Sequence, residues 1–171
     1  MQTNSKFNNV ILQFSRLLLG AFFIFSGFVK AIDPLGSAYK FEDYFSSFGG
    51  FLLHLTDFSL FFSIALSTFE LAIGLNLFFA VQTRKTAFAS LLLMLVMTPL
   101  TLYIAIFEPV SDCGCFGDAL KITNWETFIK NLVVVALIAA LLHTTRTNRA
   151  YKILKTEWLF LSLFEIGRAH V

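Results

Sequence analysis

Apolar residues fall into four long blocks along the chain, separated by short polar or mixed segments: Val10–Val29, Phe58–Val81, Thr86–Phe107 and Trp125–His143. At 1.5 Å per residue each block is long enough, or nearly so, to cross a hydrocarbon layer of roughly 30 Å as a helix. The fourth is the shortest and needs Trp125 and Phe128 at the interface. Its start carries a capping box, Thr123-Asn124-Trp125-Glu126, with Glu three residues after the cap. Pro99 is expected to kink the third span. The first block ends in Lys30-Ala31-Ile32-Asp33-Pro34 without a small-x-small site, so it reads as a span and not as a cleaved signal. Between the first two blocks, Phe41, Tyr44, Phe45 and Phe48 recur at i, i+3, i+4 and i+7 with polar residues between them. That spacing predicts an amphipathic helix on the outer membrane surface, opened by Asp33-Pro34. It serves either as a packing flap over the bundle or as a lid over a site.

Composition agrees. Of 171 residues, 57% are apolar and only 14% charged, against about 45–50% and 25% in average soluble domains. A net charge of +2 without a long basic run excludes a nucleic-acid-binding domain. The fold class is therefore all-α, an integral membrane four-helix bundle in contact with the lipid bilayer.

Charge directs it. Lys6, Arg16, Arg84, Lys85, Arg146, Arg149, Lys152 and Lys155 lie at one end, and Lys30, Lys40, Lys121 and Lys130 at the other. The positive-inside rule puts the N-terminus in the cytoplasm and the two long connections outside. The division expected is residues 1–9 as cytoplasmic N-terminus, 10–143 as the membrane domain, and 144–164 as a basic segment with the start of a fifth span. Residues 165–171 read as a non-native tail: Glu165-Ile166-Gly167-Arg168-Ala169-His170-Val171 equals one translated frame of a common sequencing adapter.

Chemistry concentrates at two places. Cys113 and Cys115, the only cysteines, sit in Asp112-Cys113-Gly114-Cys115-Phe116-Gly117-Asp118 on the second outer connection. A thiol pair outside the cytosol meets an oxidising compartment. A disulfide across one residue makes a small strained ring, for which Gly114 supplies backbone freedom, and strained exposed disulfides suit exchange. Two other readings stand beside a redox-active pair: a structural disulfide, which would add little stability across so short a loop, and a site for Cu(I) or part of a zinc site. Asp112 and Asp118 oppose thiolate formation. The second place is Glu70, alone in the middle of an apolar block, where an ionisable group is costly and marks function by default. Ser63, Ser67, Glu70 and Gly74 form one small, polar stripe; Arg16, Gly20, Phe23, Gly27 and Lys30 form another, with Ser26 beside it. These faces are expected to pack together, bringing Arg16 close to Glu70. The pair either fixes helix register or has a proton- or quinone-linked role.

Three features together resemble the DoxX-like membrane family and its methylamine-utilisation MauE branch: Arg16-Leu17-Leu18-Leu19-Gly20 through Phe25-Ser26-Gly27-Phe28-Val29-Lys30, Glu70 with Gly74, and the Asp112–Asp118 motif. The resemblance covers about residues 8–143. It implies a four-helix bundle in a bacterial inner membrane, with the Cys pair facing the periplasm. It also implies a part in redox processing or maturation of exported proteins, as MauE is thought to play for a disulfide-rich methylamine dehydrogenase subunit. Cys113 and Cys115 would be the reacting residues, with Asp112, Gly114, Gly117 and Asp118 as motif support and no metal ligands. An exported thioredoxin-like protein, or a C-terminal domain beyond the fifth span, would be the partner, and a quinone the electron carrier by analogy with thiol-oxidising bundles such as DsbB and vitamin K epoxide reductase. The alternative is a non-catalytic DoxX-type subunit or assembly factor of a respiratory or quinone-linked complex.

Overall fold

A computed structural model describes residues 2–108 and 122–147. Five helices account for most of them: α1 (Gln2–Ile32), α2 (Pro34–Phe48), α3 (Ser59–Phe78), α4 (Thr83–Phe107) and α5 (Asn124–Thr147), with a 3₁₀ helix over Gly50–Phe58. Among the described residues, four stretches are long and apolar enough to cross a membrane: Leu12–Ile32, Leu53–Phe78, Thr83–Phe107 and Asn124–Thr145. The expected four-helix membrane bundle is the observed fold. The spans pack in a ring, α1 against α3 and α5, and α4 against α3 and α5.

The bundle is polar inside and apolar outside. Phe14, Phe61, Leu95, Val96 and Val133 point outward and are more than half exposed, while Ser26, Lys30, Ser63, Glu70, Ser90 and Asn131 are buried. Lipid solvates the outer residues, so the interior is free to collect groups that hydrogen-bond one another. A core of Leu12, Leu19, Phe23, Ile73, Leu77, Met94, Ile138 and Leu141 fills the rest.

α1 and α3 run antiparallel in close contact. A Cβ on Gly74 would lie 2.5 Å from the backbone nitrogen of Ile24, one on Gly27 2.7 Å from that of Leu71, and one on Gly20 2.9 Å from that of Phe78. These are backbone atoms that cannot swing aside, so only glycine fits. The two stripes read from the sequence do face each other.

α2 starts as the sequence predicts. Asp33 caps it, its Oδ1 accepting from the Gly36 N–H at 2.9 Å, and Pro34 takes the first turn. Ser63 Oγ donates to the Pro34 carbonyl at 2.8 Å, tying this start to α3. Phe41 and Phe45 pack on Phe62, Phe48 stacks on Tyr103, and Tyr44 is buried against Ile104. The apolar face of α2 thus lies on α3 and α4. The 3₁₀ helix that follows was not expected; Gly49 and Gly50, both at positive φ, let the chain leave α2 and turn into it. The capping box of α5 is present: Thr123 Oγ1 accepts from the Glu126 N–H at 3.3 Å, and Glu126 Oε2 accepts from the Thr123 N–H at 2.9 Å. Pro99 lies within α4, which continues through it to Phe107.

A charged cavity inside the bundle

The α1–α3 register decides which charges meet. Gly27 faces Ser67 and Leu71, and Gly20 faces Gly74 and Phe78. Following α1 toward its C-terminus therefore follows α3 toward its N-terminus. Glu70 comes level with the last two turns of α1, and Lys30 Nζ donates to Glu70 Oε2 at 2.8 Å. The same ammonium donates to Ser26 Oγ at 2.8 Å and reaches the Ser26 carbonyl at 3.4 Å. Both side chains are less than one-tenth exposed.

Arg16 does not meet Glu70. It lies fourteen residues before Lys30, roughly 21 Å along the same helix. Its Nη1 donates to the carbonyls of Leu77, at 2.7 Å, and Phe78, at 2.5 Å, while Nε and Nη2 donate to Gln13 Oε1. The end of a helix leaves carbonyls without intrahelical partners and carries partial negative charge. A guanidinium with five donors satisfies both needs. The expected Arg16–Glu70 neighbourhood is thus replaced by two separate buried sites, one at each end of the α1–α3 contact. Lys30, which the sequence places both among the outer charges and at the end of the α1 stripe, is the partner of Glu70 in place of Arg16. Its place on the same stripe as Gly20 and Gly27 was the available signal.

All five helices border a cavity of about 60 Å³ beside the ion pair. α1 supplies Phe22, Phe23, Ser26 and Lys30; α2 supplies Ser37, Lys40, Phe41 and Tyr44; α3 supplies Leu66 and Glu70; α4 supplies Leu93, Met94, Met97 and Leu100; α5 supplies Lys130 and Asn131. α2 therefore packs on the bundle and also forms part of the cavity wall. Lys130 Nζ stands 5.5 Å from the centroid of the Phe22 ring. Asn131 Nδ2 donates to Thr101 Oγ1 at 3.1 Å, joining α5 to α4 at the cavity wall. Lys40, Lys130, Ser37 and Asn131 carry no special spacing, and only the fold brings them together.

As a site for a quinone the cavity is small. A cavity that accepts benzene measures about 150 Å³, more than twice this one. Cys113, Cys115, Asp112, Gly114, Gly117 and Asp118 lie outside the described residues, as do the fifth apolar run and the last seven residues.

The fold and the cavity define a multi-pass helical membrane protein with a charged interior. The family model described as methylamine utilisation protein MauE matches residues 8–144, most of the chain, and the chain belongs to that family. Comparison with curated proteins and with solved structures gave no match.

Proposed function

We propose that this MauE-family protein supports thiol–disulfide processing of exported proteins through Cys113 and Cys115, on the side of a bacterial inner membrane away from the cytoplasm. The carrying observation is the Cys113-Gly114-Cys115 pair itself, in the connection between α4 and α5. The charge asymmetry of the chain assigns that connection to the outside. Leu100 and Lys130, each about two helical turns from the helix ends that flank this connection, border the charged cavity.

The reaction balances within the two partners. A thiolate of a reduced thioredoxin-like client attacks one sulfur of the Cys113–Cys115 disulfide, forming a mixed disulfide and releasing the other cysteine as thiolate. The client's second thiolate resolves the mixed disulfide. The client leaves oxidised, and the Cys pair holds the two electrons. Acid quenching and alkylation of membranes from cells making the intact chain tests this. Mixed disulfides are expected with the native sequence and absent from the Cys113→Ser/Cys115→Ser variant; identical patterns in both would refute the reading.

A second reading, a non-catalytic subunit or assembly factor, is favoured by the buried Lys30–Glu70 and Arg16 sites, which hold helices together without needing the cysteines. It expects Glu70 and Arg16 variants to lose function and the double serine variant to keep it.

A further inference from the structure

A groove of about 380 Å³ runs between α3 and α4 toward the turn that joins them, within the range of about 300–1,000 Å³ usual for ligand sites. Phe69, Ile73 and Ala89 line its deep part, and Asn76, Gln82 and Lys85 the part nearest the turn. Phe69 lies nine residues before the end of α3, roughly 14 Å along the helix and so within the hydrocarbon. Lys85 is the third residue of α4, where that span begins. The groove thus changes from apolar to polar and cationic over the depth at which a phospholipid changes from chain to headgroup. Among the described residues no carboxylate at this end neutralises Lys85, since residues 2–32, 71–107 and 127–147 contain no acid. Glu70, next to Phe69, is held by Lys30. The open carbonyls that finish α3 are taken as well: Arg16 donates to those of Leu77 and Phe78, and the Val81 N–H donates to that of Asn76.

We propose that this groove binds one anionic phospholipid of the surrounding bilayer, its phosphate held by the Lys85 ammonium and one acyl chain laid along Phe69, Ile73 and Ala89. A lysine keeps its stem on apolar surface while its charge reaches the headgroup level. The Asn76 and Gln82 amides offer N–H donors to the phosphate and the ester carbonyls. Basic pockets between spans select anionic headgroups by charge, and the apolar wall favours a lipid over a free anion. A zwitterionic lipid carries its own ammonium beside the phosphate and gains less from Lys85. Arg84, the neighbouring cation, does not border this groove, which separates a located contact from the general attraction of a basic surface. This inference does not rest on the thiol reading.

The test uses the full chain carrying Cys113→Ser/Cys115→Ser, so that its outcome is independent of thiol chemistry. The protein is freed of lipid in detergent, and phosphatidylglycerol or phosphatidylcholine is titrated while native mass spectrometry counts bound lipids. One phosphatidylglycerol per chain is expected to bind at least tenfold more tightly than phosphatidylcholine. Lys85→Gln is expected to weaken it about fivefold, the factor that one basic side chain near anionic lipid is worth. Arg84→Gln, the same change of charge one residue away, is expected to cost less than about twofold. Ala89→Leu, which fills the groove and keeps every charge, is expected to cost about threefold to tenfold. Equal affinity for the two lipids would overturn the site. So would equal effects of Lys85→Gln and Arg84→Gln, or native affinity in Ala89→Leu of unchanged melting temperature. If Ala89→Leu is itself unstable, the two exposed charge variants decide alone. A dimer that keeps lipid out of the groove would assign it to a second copy of the chain and would also overturn the proposal.

Discussion

Glu70 and Lys30 illustrate why a buried charge is safe only as half of a pair. Removing one partner strands the other in a medium that solvates it poorly, at a cost of about 3–5 kcal/mol, whereas replacing both with apolar residues of similar volume is often neutral. Glu70→Ala is therefore expected to lower stability by about that amount, and Lys30→Met/Glu70→Leu to recover most of it, as read by unfolding of the purified protein in mild detergent. Equal losses in the single and double variants would show that the ion pair is not the cause. Glu70 was legible in the sequence because no other acid lies between Asp57 and Glu108. Its partner was not. Choosing Lys30 over Arg16 requires the relative shift of two helices, and that shift is set by where three glycines allow backbones to touch.

Among the elements, the spans were the most legible, since a bilayer demands about twenty apolar residues in a row. α2 and the α5 cap were also readable, because amphipathic spacing and capping chemistry are local. The 3₁₀ helix was not, for its residues show no period and its entry depends on two consecutive glycines at positive φ. Two predictions belong here. Gly74→Ala sets a methyl 2.5 Å from the Ile24 nitrogen and is expected to cost about 1–3 kcal/mol, with weaker α1–α3 crosslinking between introduced cysteines; an unchanged melting temperature would contradict the interlock. Thr123→Ala removes the cap acceptor of α5 and is expected to cost about 1 kcal/mol, seen as faster amide exchange confined to the first turn.

At the scale of the whole molecule, the spans form a ring with α2 laid across one end, and the cavity is a property of that assembly alone. Lys40 and Lys130 counted in the sequence only toward orientation, as charges near connections. The fold brings both, half-buried, to the cavity that Glu70 also borders, from positions ninety residues apart in the chain. Nothing local could have announced that meeting, because side chains without a shared period are joined only by tertiary packing. The Cys pair is the reverse case, conspicuous in the sequence and lying outside the described residues.

The glycine interlock also has a bearing on how the chain enters the bilayer. α1 and α3 are consecutive spans, so the interlock and its ion pair are complete once synthesis has passed Phe78. Lys30 and Glu70 can then leave the insertion machinery as one neutral hairpin, and neither need face lipid alone while α4 and α5 are still being made. A fragment ending at Gln82 is accordingly expected to insert both spans in glycosylation mapping, and Lys30→Ala to reduce insertion of the second span severalfold, while Lys130→Ala cannot act on a helix that does not yet exist.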